Sequence, residues 1–358
     1  MRCTLLFALC ILTLPLRAQT PIPDPPPQTS TLTITTRLVS LDAVVRDASG
    51  DLVTNLIKDS FTLREDGHPV PIRYFNHDSD LPLTVGLLVD TSGSETEYFG
   101  DEAVASNLFL ERVLRPAPPA TGLKQRSDAT AASPAAVPPT TPPAQTDRAF
   151  IVRFDSQVLL LQPMTSSLPL LRNGLRLLDY KPDKLKGTSH GGTLLFDAII
   201  TVCDKVIGSE SGRRALIIMT DGDDNGSRND LSSAIRSAQA AGVAVYSILY
   251  TRELPNYPVV STAHPSGIGV MQQISRATGG RAFVVGSPMN IRKIYSAIED
   301  DLRSQYRIGF TPRPSAPHRF HSLDLRATPG VPSGRSLSDG VSDPKLTVQS
   351  RTSYSTPQ

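Results

Sequence analysis

The chain has 358 residues, of which 39% are hydrophobic and 20% are charged, and its formal net charge is +2. This is the composition of an ordinary globular protein, with room for one large domain and additional segments. The charge balance gives no electrostatic reason to expect a nucleic acid or an acidic membrane as a partner, so we predict that the chain binds no nucleic acid.

The first residues are typical of a secretory signal peptide. Arg2 supplies a short positive region, and Leu5–Leu14 is an apolar run that is too short to span a bilayer as a helix. A small residue, Ala18, precedes Gln19, so we predict a signal peptide over residues 1–18 with cleavage after Ala18. The mature chain is then expected in the periplasm or the extracellular space, without a transmembrane segment.

The next elements are extended. Residues 19–30 are rich in proline and predict a disordered leader. Residues 31–79 predict an N-terminal β-segment, with strands at Phe61–Arg64 and Val70–Phe75. The turn between these strands, Glu65–Gly67, contains Asp-Gly, which is a strong hairpin signal.

From residue 80 to residue 310, apolar strands alternate with amphipathic helices. The run "LTVGLLVD", Leu83–Asp90, has no polar alternation and is typical of a strand covered on both faces. This alternation predicts an α/β fold with a doubly wound, mostly parallel, Rossmann-like sheet, flanked by β-strands at both ends. Cys203, the only cysteine after the signal peptide, lies on the apolar side of a helix and is expected to be a buried, inert thiol.

Two further segments complete the predicted organisation. Residues 115–147 hold almost no large apolar side chain and predict a disordered insertion. This insertion is expected at the amino edge of the strands, whereas ligands of such sheets bind at the carboxyl edge. Residues 311–358 predict C-terminal strands and a tail, with a last strand in Lys345–Tyr354, and these strands can pair with the N-terminal ones.

Oxygen-bearing side chains follow the predicted elements at three places. Asp90, Ser92 and Ser94 come at the end of the first strand of the sheet, Thr193 begins a helix after "KGTSHGG", and Asp221 follows the buried strand "RALIIMT". The carboxyl ends of parallel strands meet at one edge, so these side chains are expected to lie together. Two carboxylates and three hydroxyls form a set of hard oxygen ligands, which predicts a site for Mg²⁺ or Mn²⁺, and for Ca²⁺ if the cavity is larger.

The D-x-S-x-S sequence, the Gly-Gly-Thr loop and the later Thr-Asp-Gly together resemble the von Willebrand factor type A domain, over residues 80–310. The flanking sequences "VRDASGDLVTNLIKDSFTLREDGHPVPIRYF" and "YRIGFTP" are similar to the exported VWFA-related domain family described from Acidobacteria.

This resemblance implies a metal-ion-dependent adhesion site (MIDAS). Ser92, Ser94 and Thr193 would touch the metal through their hydroxyls, and Asp90 and Asp221 would bind it directly or through water. The open coordination position would take an Asp or Glu carboxylate of a partner protein.

Three residues of the surrounding loops are predicted to contact that partner. Glu95 stands where the family often has Met, a departure that bears on ligand affinity. His190 and Asp223 lie near the proposed site. For His190 the alternative is a solvated loop residue, and for Asp223, together with Asp224 and Asn225, it is a turn.

Other interpretations of the motifs are weaker. Asp90 as a simple cap of a helix or turn remains an alternative. An aspartic protease needs Asp-Thr-Gly in two copies, whereas Ser92 interrupts this sequence and no second copy exists. Asp221–Gly226 resembles the start of an EF-hand loop, but Ser232 occupies the position of the bidentate glutamate.

The sequence therefore predicts an exported protein-binding module of the cell-adhesion type that depends on a divalent cation and is not an enzyme. The alternative is a structural or scaffold protein of the cell envelope that needs no metal.

Overall fold

The computed structural model describes residues 38–77, 81–92, 99–114, 146–178, 192–250, 266–286, 290–314, 319–329 and 345–355. These residues form helices and strands. The strands assemble into one six-stranded sheet and two four-stranded sheets. The predicted signal peptide and the proline-rich leader lie outside the described residues. Within the described part, no helix is long and apolar enough to cross a membrane.

The strands are β1 (Val39–Arg46), β2 (Phe61–Glu65), β3 (His68–Val70), β4 (Ile72–Asn76), β5 (Leu83–Asp90), β6 (Arg148–Phe154), β7 (Val158–Thr165), β8 (Arg213–Thr220), β9 (Ala244–Leu249), β10 (Ala282–Val284), β11 (Tyr306–Phe310), β12 (Phe320–Ala327), β13 (Thr347–Ser350) and β14 (Ser353–Ser355). The helices are α1 (Phe99–Val113), α2 (Leu168–Arg176), α3 (Leu195–Val202), α4 (Leu231–Ala240), α5 (Gly267–Thr278) and α6 (Ile291–Arg303). A π-helical turn, Cys203–Ile207, continues α3.

The six-stranded sheet has the order β10-β9-β8-β5-β6-β7. All neighbours are parallel except β7, which runs antiparallel to β6. Every residue of β5 is buried, because α1, α2 and α6 cover one face of the sheet and α3, α4 and α5 cover the other. The predicted α/β fold with a doubly wound, mostly parallel sheet is confirmed. Cys203 is a buried free thiol, as expected.

The two four-stranded sheets, β13-β1-β11-β4 and β14-β12-β2-β3, form a sandwich with an apolar core of its own. Strands from the two ends of the chain pair directly, β1 with β11 and β2 with β12, as the sequence allowed. A buried carboxylate joins the sandwich to the α/β unit: Asp301 of α6 accepts hydrogen bonds from Arg46 of β1 and from Arg281.

Two predicted strands are present but are not continuous, because each is divided between the sheets of the sandwich. The predicted strand Val70–Phe75 breaks at Pro71, so that β3 belongs to one sheet and β4 to the other. Proline has no N–H to donate to a ladder and is tolerated where pairing changes. The predicted strand in Lys345–Tyr354 divides in the same way into β13 and β14 around Arg351 and Thr352.

The predicted insertion lies outside the described residues except at its end. Asp147, which we predicted to be disordered, is buried, and that prediction is wrong for this residue. Its carboxylate accepts hydrogen bonds from the Leu83 backbone N–H at 2.8 Å and from Arg303 at 2.7 Å, and Arg303 also donates to the Val113 carbonyl. The two ends of the insertion are thus held at the amino end of β5, opposite Asp90.

Candidate metal site

Asp90 is the last residue of β5, and only 1% of its surface is exposed. Its Oδ1 accepts a hydrogen bond from the Ser92 backbone N–H at 2.9 Å, and its Oδ2 accepts one from the Thr220 hydroxyl at 2.7 Å. Burial raises the pKa of Asp90; hydrogen bonds from Ser92 and Thr220 oppose the rise, and the charge of Asp221 adds to it. The strand therefore delivers a desolvated carboxylate next to a second carboxylate.

The second carboxylate comes from the neighbouring strand. β8 pairs with β5 and ends at Thr220, so Asp221 begins the adjacent loop. Asp221 accepts a hydrogen bond from the Asp223 backbone N–H at 3.1 Å, and the Thr220 hydroxyl accepts one from the Gly222 N–H at 3.0 Å. These contacts fix the start of the loop beside Asp90.

Thr193 lies in the loop before α3 and is buried. Its backbone N–H donates to the side-chain oxygen of Asn225 at 2.6 Å, and the Asn225 N–H donates back to the Thr193 carbonyl at 3.3 Å. The loop that carries Thr193 and the loop that carries Asp221 are consequently locked to each other.

The same loop caps α3. The residue that precedes the helix, Leu194, provides no side-chain cap. Asp224 accepts instead from the Phe196 N–H at 3.1 Å, and the Ser227 hydroxyl accepts from the Asp197 N–H at 3.0 Å. Since the first N–H groups of a helix have no partner inside the helix, this loop satisfies them from outside.

One residue of this edge escaped the sequence analysis. Asp155 follows β6, which is the other neighbour of β5. Its carboxylate accepts from the Thr91 hydroxyl at 3.1 Å, and its backbone carbonyl accepts from the Leu194 N–H at 2.9 Å. Asp155 thus connects the end of β5 with the loop that carries Thr193. The sequence could have identified Asp155, because an aspartate at the carboxyl end of an adjacent parallel strand must lie at this edge.

The structure therefore brings Asp90, Ser92, Thr193 and Asp221 to the carboxyl edge of the sheet. Asp223 is exposed beside them. The remaining predicted site residues lie outside the described residues: Ser94, Glu95 and His190.

The donors at this edge are of the kind that a hard divalent cation takes, namely carboxylate and hydroxyl oxygens. Among the described residues, no three side chains of His, Cys, Asp and Glu group closely enough to hold a metal. A cation bound here would therefore need the hydroxyls of Ser92 and Thr193, and water, to complete the contribution of Asp90 and Asp221. Because only Asp90 and Asp221 would bind it with negative charge, such an ion would remain electrophilic.

Replacement of Gly222 by alanine tests how tightly this loop is built. Gly222 has a φ of +87°, and a Cβ at this position would lie 2.3 Å from the Gly267 carbonyl oxygen at the start of α5. We expect Gly222→Ala to lower the free energy of unfolding by about 2 kcal/mol, because the left-handed backbone and the clash both disfavour a side chain. Urea unfolding measures this change.

Gly50 provides the matched control, since it has a φ of +89° but no heavy atom within 4 Å of the position that a Cβ would take. Gly50→Ala is expected to cost about 1 kcal/mol, from the backbone alone. Equal losses for the two variants would contradict the close contact between the Asp221 loop and α5.

Comparisons with known proteins add little at the level of sequence. A scan against protein-family models found no match, and neither did a search of curated proteins. Several solved structures are similar to part of the chain. BatB from Bacteroides thetaiotaomicron is 15% identical over 62% of this chain and 97% of its own, with a TM-score of 0.40.

Two further similar structures carry a more specific description. Proximal thread matrix protein 1 from the mussel byssus, solved with a zinc-occupied MIDAS motif, is 12% identical over 65% of this chain and 48% of its own, with a TM-score of 0.41. A von Willebrand factor type A protein from Catenulispora acidiphila is 10% identical over 76% of this chain and 67% of its own, also with a TM-score of 0.41. Identities and TM-scores this low do not support an argument about function. The fold class is therefore assigned from the strand order of the chain itself, and the narrower resemblance to the Acidobacteria family stays a prediction.

Proposed function

We propose that this chain is an exported protein-binding module of the von Willebrand A type, which binds a divalent cation at the carboxyl edge of its sheet. Mg²⁺ is the first candidate, with Mn²⁺ or Ca²⁺ as alternatives. The bound cation would supply positive charge and an open position for an Asp or Glu carboxylate of a partner protein. Ser94 would complete the ligands, and Glu95, His190 and Asp223 would lie around the partner.

The observation that carries this proposal is the environment of Asp90. A buried carboxylate is costly unless an opposite charge accompanies it. Within the described residues, no lysine, arginine or histidine forms an ion pair with Asp90. Its neighbour is Asp221, another acid, whose charge makes ionisation harder. A divalent cation would compensate both carboxylates at once.

A binding role is favoured over catalysis by the position of the possible bases. Nucleophilic catalysis by Ser92 would need a base such as histidine within hydrogen-bond reach. The histidines that the structure describes, His68, His77 and His321, belong to or border the strands of the sandwich. The Asp90 carboxylate accepts hydrogen bonds from the backbone and the side chain of Ser92, but it also accepts from the Thr220 hydroxyl and so holds the ends of two neighbouring strands together.

Selection from a random peptide library tests the proposal and does not require the partner to be identified first. The chain from Gln19 onwards is immobilised with MgCl₂, and bound phage are eluted with EDTA. We expect the eluted peptides to share an Asp or Glu, and its replacement by Asn or Gln to remove binding, because the carboxylate would be the group that reaches the cation.

Two chain variants complete the design. Asp90→Asn is expected to abolish the EDTA-sensitive capture, whereas Asp59→Asn, an exposed carboxylate of the sandwich, should leave it unchanged. Peptides that lack acidic residues, or binding that EDTA does not affect, would refute the cation bridge and favour the metal-independent scaffold.

A further inference from the structure

A cavity of about 560 Å³ lies at the amino end of β8, between the α/β unit and the sandwich. The candidate metal site lies at the opposite, carboxyl end of β8, so the cavity and the metal site are distant from each other in the fold. Five charged side chains line this cavity: Asp42, Glu210, Arg214, Arg307 and Arg351.

Three of these side chains are already neutralised. Arg307 donates two hydrogen bonds to Asp42, at 2.8 and 3.1 Å. Glu210 pairs with Arg148, whose side chain is outside the cavity lining. The acidic groups of the cavity are thus engaged by Arg307 and Arg148.

Arg214 and Arg351 remain as two positive charges. Neither forms an ion pair with a carboxylate of the described residues. Arg214 donates to the Gly208 carbonyl at 2.9 Å. Arg351 donates to the carbonyls of Gln239 and Ser40, at 3.1 and 2.7 Å. Backbone carbonyls satisfy some of the guanidinium protons but do not balance the charge.

The two guanidinium groups converge at Gly242. A Cβ at this glycine would lie 3.0 Å from Nη2 of Arg214 and 3.5 Å from Nη1 of Arg351. The Nε atoms of both arginines are buried without a hydrogen-bond partner. Burial lowers the pKa of Arg351 to about 10; the charge of Asp42 opposes the lowering, and the charge of Arg214 adds to it. Like charges held together at a cavity are stabilised when an anion lies between them.

We propose that this cavity binds a small ligand with a phosphate group, held by Arg214 and Arg351. Guanidinium groups donate pairs of parallel N–H bonds, which match the oxygens of a phosphate. The cavity is larger than inorganic phosphate requires, so the phosphate could be free or part of a small phosphate monoester. This inference does not depend on the proposed cation site.

Thermal melts of the chain test the inference. They are carried out in EDTA, so that no divalent cation is bound at the candidate metal site. Inorganic phosphate and glycerol 3-phosphate are titrated against chloride at constant ionic strength, and each Kd is obtained from the rise in Tm. We expect both to raise Tm in wild type, and Arg351→Gln to weaken the binding of each by about tenfold or more, because it removes a charged bidentate donor. A tighter Kd for glycerol 3-phosphate would identify the ligand class as an ester, and an equal or weaker one would identify free phosphate.

Two other variants keep the test decisive. Arg326→Gln changes an exposed arginine of β12 and should leave the Kd unchanged. Asp42→Asn releases Arg307 from its partner and is expected to tighten phosphate binding by about tenfold, since a third guanidinium becomes free to bind the anion. The inference is overturned if neither anion shifts the Tm of wild type, or if Arg351→Gln and Asp42→Asn both bind like wild type. If Arg351→Gln does not fold, an unchanged Kd for Asp42→Asn is sufficient to overturn it.

Discussion

Addition of Mg²⁺ or Mn²⁺ to the metal-free chain is expected to raise its free energy of unfolding, and Asp90→Asn is expected to remove this response. A ligand that binds only the folded state stabilises by RT ln(1 + [M]/Kd), about 2.7 kcal/mol at a hundredfold excess over Kd. Asp90 is central because it is buried at the end of β5 and its Oδ2 is held by Thr220, which fixes the position of the carboxylate. Thermal melts in EDTA and in each cation measure the response.

In EDTA, Asp90→Asn is expected to be at least as stable as wild type. The amide keeps one of the two acceptors, the Thr220 hydroxyl can rotate to accept from the amide N–H, and the change removes a buried charge that Asp221 opposes. Asp90→Asn would then keep the stability of the metal-free chain and lose only the response to cations. Such a result distinguishes loss of the metal site from loss of the fold. Asp59→Asn serves as the control and should respond to cations as wild type does. A full cation response in Asp90→Asn would contradict the assignment of the site.

The cation response should also depend on pH, with a sign that follows from Asp90. Because burial raises its pKa in the folded state, the folded metal-free chain binds a proton more tightly than the unfolded chain does. The stability that this proton provides is fully present below the unfolded pKa of about 3.9 and decreases as pH rises through the folded pKa. Cations compete with the same proton, so their stabilising effect should increase over that interval.

The fold of this chain follows from its sequence where the signal is periodic and local. The apolar run of β5 and the helices that alternate with strands specify a sheet covered on both faces, and the structure has this sheet. The carboxyl-edge rule then places Asp90, Thr193 and Asp221 near one another, because it depends on strand direction and not on side-chain contacts. The sequence could therefore predict the positions of those residues that depend only on the topology of the sheet.

What the sequence could not provide is pairing over long distances. Pro71 marks a break in pairing, but nothing nearby shows that β3 and β4 join different sheets. Asn225 and Asp224 were interpreted as turn residues, and their hydrogen bonds to Thr193 and Phe196 depend on a helix about thirty positions away. A turn has the same residue composition whether its side chains point to solvent or bind a helix terminus, so composition does not distinguish the two cases.

The end of the predicted insertion shows the same limit and leads to the second large effect. Composition separates residues that can form a core from those that cannot, but it does not reveal a single charged residue that anchors the segment. Asp147 is 6% exposed and accepts hydrogen bonds from both the Leu83 backbone and Arg303. Arg303 in turn holds the Val113 carbonyl at the other end of the insertion.

We expect Asp147→Ala to lower the free energy of unfolding by about 3–5 kcal/mol, because removal of one partner leaves Arg303 buried without its counter-charge. The exposed fractions of the two side chains are only 11% for Arg303 and 7% for Asp147, so water does not replace the lost contact. Asp324→Ala is the matched control: it breaks an ion pair whose side chains are 74% and 46% exposed, and it should cost no more than about 1 kcal/mol. Urea unfolding of both variants measures the difference, and equal losses would show that Asp147 does not anchor the insertion. Because Asp147 lies at the amino end of the sheet, folded Asp147→Ala should keep the cation response that Asp90→Asn loses.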